Sequence, residues 1–321
     1  MRRIFLFGIS VFVFSVLMSL LFWLFLSPRS SENAYTSPLP DFLTRGMNNQ
    51  VTLLDLWNPF IERIQGSEKE VPDYTAQVVL MYDLTTDKTL FEQNARQKVP
   101  MASLTKIMTA IVAYENKLPE DRYHVTEAML VGENTMGLTV GEELNLEELL
   151  YGLMLHSGND AAEVLANNHP QGRAAFLRAM HDKAASLGLT DTVFSNPSGL
   201  QGDGEQHTTA YDLLVMTKYM FDTSPLLKKI VSTYEYTIPA TNTHKAYQLY
   251  NETNLLTTYP GVKGVKTGYT PEAGMCLVSY LEYEGHEIIG IILNSENRRD
   301  EMRNFLDVSL KRLNIEPPVR S

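Results

Sequence analysis

Hydrophobic and polar positions divide the chain into stretches with different periods. Residues 4–26 form an uncharged run of 23 residues rich in Phe, Leu, Val and Ile, preceded by Arg2 and Arg3. A run of that length crosses a bilayer, and the flanking arginines predict residues 1–3 on the cytoplasmic side with the rest outside. The expectation is an uncleaved, single-pass transmembrane anchor in the cell membrane. No small-x-small site follows it, and a cleaved signal peptide is the alternative. Residues 27–50 are polar and rich in Ser, Pro and Asn, as in a tether. Residues 50–64 have enough apolar side chains to rest against something, but Pro59 interrupts them, and a short helix pair or a strand both fit. Linker and juxtadomain segment together occupy 27–70.

From 71 to 315 the pattern is that of one domain, followed by a tail at 316–321. An apolar strand over 76–82, a polar turn and a second strand over 89–92 predict a hairpin. Ile107, Met108, Ile111, Val112 and Tyr114 have helical spacing, and that helix ends before Pro119. Asn145 is placed to cap a helix whose stripe is Leu146, Leu149, Leu150, Leu153 and Met154. A break at 157–159 leads into another helix. An amphipathic segment then ends at Gly188, and Thr208 or Thr209 caps a helix through Phe221. Late strands are predicted over 261–267, 275–283 and 287–294, with a Glu-Gly turn at 284–285, and a final helix over 298–313. Strands joined mostly by hairpins make an α+β (α/β) domain with a largely antiparallel sheet flanked by helices.

Composition narrows the partners. The formal net charge is −11 and no Lys/Arg cluster occurs, which argues against a nucleic-acid binder. The single cysteine, Cys276, excludes an intrachain disulfide and a Cys-based metal cage, and its apolar surroundings read as a buried inert thiol. His156 and His207 show no ligand spacing such as HExxH, so no metal and no cofactor is expected.

Three short motifs occur in order: Ser103-Leu104-Thr105-Lys106, Ser157-Gly158-Asn159 and Lys266-Thr267-Gly268. On a helix beginning near Ser103, positions i and i+3 share a face, so hydroxyl and amine meet. An alcohol beside an amine that has lost its proton is a nucleophile with its own base. Taken singly, the first motif is no more than a buried helix start, and S-x-N occurs three times in this chain. K-T-G occurs once, and the ordered set is the signature used by serine penicillin-binding enzymes.

With these motifs and the stretches "ASLTKIMTA", "MLHSGNDAAEVLA", "FSNPSGL" and "GVKGVKTGYTPEAGMCLV", the chain closely resembles the D-alanyl-D-alanine carboxypeptidases. These are the low-molecular-mass penicillin-binding proteins that trim bacterial peptidoglycan stems, and the resemblance covers roughly residues 72–315. It implies a serine β-lactamase/D,D-peptidase-like fold with a helical subdomain on the extracytoplasmic side. It implies stem peptides ending in D-Ala-D-Ala as substrate and β-lactam antibiotics as covalent inhibitors. Ser103 becomes the nucleophile and Lys106 the general base. Free lysine has a pKa of about 10.4, so Lys106 serves only if desolvation and neighbouring positive charge favour its neutral form. Ser157 relays a proton to the leaving amine, and Asn159 binds substrate amides and positions Lys106. Lys266, Thr267 and Gly268 read the substrate carboxylate, assisted by Arg298, with Arg299 adjacent. The backbone N–H groups of Ser103 and Tyr269 form the oxyanion hole. "FSNPSGL" is expected to be a turn framing the cleft.

Two other activities share these residues. A D,D-endopeptidase cutting cross-links uses the same set, and a catalytically idle wall-binding protein keeps the fold. The retained Ser103, Lys106 and Lys266 argue against idleness, and a β-lactamase lacks an evident acidic deacylation motif.

Overall fold

The computed structural model describes residues 57–61, 71–201 and 204–319. Among these residues no helix is long and apolar enough to cross a membrane, which corrects the expectation of a transmembrane helix. The longest, Arg298–Arg312, has 15 residues. At 1.5 Å per residue that is about 22 Å, short of a ~30 Å hydrocarbon core. The stretch at 4–26, on which the anchor was placed, and the tether at 27–50 lie outside the described residues.

Strands β1 (Val78–Asp83) and β2 (Lys88–Gln93) form the predicted hairpin. A 3-10 turn (Ala102–Thr105) then runs directly into α1 (Lys106–Glu115). The short pair β3 (Tyr123–His124) and β4 (Glu143–Leu144) precedes α2 (Leu146–Leu155). At the start of α2, Asn145 accepts from the Glu148 N–H while the Glu148 carboxylate accepts from the Asn145 N–H, a complete capping box. Helices α3 (Asn159–Asn167) and α4 (Arg173–Ser186) follow. Thr209, not Thr208, caps α5 (Ala210–Thr223), because the Thr208 hydroxyl is engaged with Thr192 at 2.8 Å.

Next come α6 (Pro225–Val231), the hairpin β5 (Glu235–Ile238) and β6 (Tyr247–Tyr250), and the short α7 (Leu255–Thr258). None of these was expected. Each is short, and long-range packing fixes it: Tyr236 stacks on Tyr151 with ring centroids 3.5 Å apart and planes 6° apart. The chain closes with β7 (Val262–Thr270), β8 (Gly274–Tyr283), β9 (His286–Ser295) and α8 (Arg298–Arg312). The β8–β9 turn has Glu284 at φ 47° and Gly285 at φ 80°, the left-handed pair that a tight two-residue hairpin requires.

The main sheet has five strands in the order β2-β1-β9-β8-β7, every neighbouring pair antiparallel. Alternation along the strands splits their side chains between two cores. Val78, Leu80, Tyr82, Val278, Tyr280, Ile289 and Ile291 join the helical block. Val79, Met81, Leu277, Leu281, Ile288 and Ile292 pack with Met302, Phe305, Leu306 and Leu310 of α8. The sheet is therefore buried on both faces, with α8 on one side and α1–α6 on the other. Residues 57–61 lie against this domain: Trp57 meets Tyr82 edge-on at 5.7 Å, and its indole donates to Asp87 at 3.3 Å.

Candidate active site

The cleft lies where the 3-10 turn carrying Ser103 meets the edge strand β7. Among the described residues β7 is an edge strand laddered to β8, and its other edge lies outside the sheet ladder. Gly268 is where the two elements touch. A methyl built on it would stand 3.1 Å from the Ser103 nitrogen and 3.2 Å from both the Ala102 Cβ and the Met101 oxygen. Ser103 lies in the first turn of its helix, where main-chain N–H groups have no intrahelical acceptor.

Two of the left-handed non-glycine residues fall at the motifs. Ala102 holds φ 48° and Ser157 holds φ 56°, left-handed conformations that cost a residue with a Cβ about 1–3 kcal/mol. The Ala102 peptide is pressed against Gly199: a methyl there would stand 2.0 Å from the Ala102 oxygen. Gly199 belongs to the "FSNPSGL" turn, which Asn196 closes by accepting from the Ser198 and Gly199 N–H groups at 3.1 and 2.7 Å. The Thr109 hydroxyl of α1 donates to the Pro197 oxygen at 2.6 Å, tying turn and helix together.

Lys106 is wholly buried. Its Nζ lies 2.9 Å from Ser103 Oγ, 2.7 Å from Asn159 Oδ1 and 2.6 Å from the Ser198 carbonyl oxygen. The latter two accept only. An amine that gives both its protons to them keeps its lone pair for the Ser103 hydroxyl. Burial, reinforced by the nearby Lys266 charge, holds the Lys106 pKa well below its usual value, while Glu252 and Asp160 oppose the shift. Three oxygen partners suit either protonation state, and it is burial beside the Lys266 charge that favours the neutral amine.

Asn159 is the first residue of α3. Its Nδ2 donates to the Glu133 oxygen at 2.6 Å and its N–H to the Asn134 oxygen at 2.7 Å, so one residue ties Lys106 to the 133–138 loop. The next residue fixes that loop. Asp160 Oδ1 accepts from the Met136 N–H at 2.9 Å, and Oδ2 from the Gly137 and Leu138 N–H groups, each at 3.0 Å. Ser157 is buried in the turn between α2 and α3, and it is not among the hydrogen-bond partners of Lys106.

On the opposite wall Lys266 is 1% exposed, and its Nζ donates to the Thr267 oxygen at 3.0 Å. Burial lowers its pKa to about 8; Glu252 works against that shift and Arg298 with it. Arg298, at the start of α8, donates to the Gly268 oxygen at 2.6 Å and the Cys276 oxygen at 3.3 Å. Arg299 instead turns to its neighbour Asp300. Arg298 is thus the arginine tied to the K-T-G strand. The Cys276 thiol is buried and pushed up to about 11, as expected of an inert thiol.

Sequence reasoning missed three participants. The Ser198 carbonyl carries no side-chain signal. Asp160 looks like an ordinary first-turn acid. Glu252 gains its neighbours only when the β6–α7 segment folds against β7, where its carboxylate accepts from the Thr267 hydroxyl at 3.1 Å.

Residues 65–297 match the family model described as D-alanyl-D-alanine carboxypeptidase, peptidase S11. The chain is 32% identical over 253 residues to the D-alanyl-D-alanine carboxypeptidase DacF of Bacillus subtilis, covering 76% of this chain and 64% of that protein. It is 33% identical over 205 residues to a D-alanyl-D-alanine endopeptidase of Pseudomonas aeruginosa, covering 62% of this chain and 64% of that protein. These curated relatives are thus matched over somewhat less than two thirds of their length. Among solved structures, the Streptomyces K15 DD-transpeptidase superposes with a TM-score of 0.69 at 32% identity, covering 75% of this chain and 99% of that one. A D-alanyl-D-alanine carboxypeptidase of Mycobacterium tuberculosis gives 0.70 at 30% identity, covering 78% and 96%. Motif order, antiparallel sheet and family match agree, and the chain belongs to the D-alanyl-D-alanine carboxypeptidase and DD-transpeptidase family of low-molecular-mass penicillin-binding-protein type.

Proposed function

We propose that the protein is a serine-type D,D-carboxypeptidase that removes the terminal D-alanine from peptidoglycan stem peptides, working on the extracytoplasmic side where that substrate lies. The observation that carries this reading is the buried Lys106 Nζ, held by Asn159 Oδ1 and the Ser198 carbonyl at 2.9 Å from Ser103 Oγ, in surroundings that favour its neutral form. The peptide lies along the outer edge of β7 as an added strand. Its C-terminal carboxylate meets Lys266, the Thr267 hydroxyl and Arg298.

The Ser103 proton passes to Lys106 Nζ as Oγ bonds to the carbonyl carbon of the penultimate D-alanine. The oxyanion sits between the backbone N–H groups of Ser103 and Tyr269; one such donor is worth about 3 kcal/mol. When the C–N bond breaks, the leaving nitrogen takes a proton through Ser157, and D-alanine departs. Water then attacks the acyl-enzyme and restores Ser103. Penicillins acylate Ser103 by the same first step. Asn159 acts mainly by positioning Lys106, since both ends of its amide are already engaged.

The similarity to the Pseudomonas aeruginosa endopeptidase keeps cross-link cleavage as a second reading. Incubation of the full chain with an acyl-D-Ala-D-Ala peptide and with a cross-linked dimer, products assigned by mass, separates them. D-Alanine from the first alone is the expected result. Cleavage of the dimer favours the endopeptidase, and no product from either overturns both.

A further inference from the structure

The carboxylate-reading wall contains a carboxylate of its own. Glu252 lies on the segment joining β6 to α7, is exposed, and accepts the single proton of the Thr267 hydroxyl at 3.1 Å. With Thr267, Arg298 and Asn254 it lines one cavity. Its backbone is pinned on every side. The Glu252 N–H donates to the Leu155 oxygen at 3.1 Å. Neighbouring Asn251 donates to the Val231 and Thr233 oxygens at 3.1 and 3.0 Å, and accepts from the Thr253 N–H at 2.9 Å. An anion held beside a lysine, an arginine and a hydroxyl donor takes the interactions that an incoming anion needs.

We propose that Glu252 is a specificity-determining residue: it competes with the terminal carboxylate of the substrate for the Thr267 hydroxyl. It thereby narrows the advantage of free C-terminal acids over peptides whose leaving residue is amidated or otherwise uncharged. This rests on the reading of Lys266, Thr267 and Arg298 as the carboxylate site. A free acid must displace Glu252 from Thr267 and then lie beside its charge, whereas a neutral terminus meets no such repulsion. Glu252 also favours the charged forms of Lys106 and Lys266. Replacing it therefore alters the base as well as the reader. A ratio between two ligands attacked by the same base cancels the change at Lys106, and measuring it at pH 6, well below the Lys266 pKa of about 8, keeps Lys266 charged in every protein and leaves the competition at Thr267.

The test measures the second-order rate of Ser103 acylation, by intact-protein mass, for benzylpenicillin and its uncharged methyl ester. Full-chain wild type, Glu252→Gln and Glu252→Asp are compared. The acid-to-ester ratio is expected to rise about tenfold in Glu252→Gln, the value of one hydrogen bond to a charged group. Glu252→Asp, which keeps the charge, returns most of the way to the wild-type ratio. An unchanged ratio in Glu252→Gln, with the wild type acylated normally, overturns the role of Glu252 and leaves the proposed reaction standing. Failure of both ligands to acylate the wild type overturns the reaction and this inference with it.

Discussion

Lys106 Nζ lies 2.9 Å from Ser103 Oγ, and its other two partners, Asn159 Oδ1 and the Ser198 carbonyl, only accept. General-base catalysis contributes about 10²–10⁴ in rate. Lys106→Met should therefore slow Ser103 acylation by about a thousandfold, and Ser103→Ala should abolish it. Stopped-flow acylation with a fluorescent penicillin measures both. Acylation of Lys106→Met within tenfold of wild type would remove Lys106 as the base.

Asn159→Asp places a negative charge where an amide oxygen now lies 2.7 Å from the amine. A carboxylate at that distance favours the ammonium form and raises the Lys106 pKa. The acidic limb of the acylation profile should move to higher pH, with activity regained as pH rises. Asn159→Ala instead frees both Lys106 and the Glu133 carbonyl, and should lower the rate at every pH without moving the limb so far.

The Lys266 pKa of about 8 sets an alkaline boundary. Above it the ammonium that meets the substrate carboxylate is lost, so KM for acyl-D-Ala-D-Ala should climb with pH while kcat changes less. Lys266→Arg keeps its charge and should push that rise beyond pH 10. The KM profile of the two proteins is the measurement.

The same residue has a stability signature. Its pKa is lowered in the folded state, to about 8. Between pH 8 and the unfolded value near 10.4 the unfolded chain binds the extra proton, so stability rises with pH in that window. Below pH 8 the penalty is full, on the order of 3 kcal/mol. Lys266→Met should remove this slope and be more stable at pH 7, with the advantage shrinking toward pH 10. Urea denaturation of both proteins across that range tests the sign.

Gly268→Ala would set a methyl 3.1 Å from the Ser103 nitrogen. Overpacking of this kind costs about 1–3 kcal/mol, and here it wedges the nucleophile away from β7. A fall in kcat of at least tenfold, with the circular dichroism spectrum retained, is the expected result.

Much of this was legible along the chain because it is local. The β1–β2 hairpin, the Asn145 cap, the 284–285 turn and the late strands are written in period and turn chemistry over a few residues each. Ser103 and Lys106 are three residues apart, so their meeting follows from helical geometry alone. What escaped depends on contacts between distant segments. The short β5–β6 hairpin is fixed by Tyr236 on Tyr151, and neither residue announces the other. Ser198 enters through a carbonyl, which every residue has. Glu252 is 15 residues from Thr267, and nothing in either side chain foretells their bond.

The order of strands has a consequence for when the site comes into being. Strand β9, the last in sequence, fills the middle of the sheet between β1 and β8, and Arg298 follows only three residues after it. The hairpin made first therefore has no lateral neighbour until nearly the whole domain has been synthesised. Contacts of such long sequence separation form slowly. A nascent chain that has already released Ser103 and Lys106 from the ribosome still lacks the strand that brings its two walls together. Reactivity toward penicillin should arise abruptly once β9 and α8 have emerged, which makes acylation a sensitive reporter of the completed sheet.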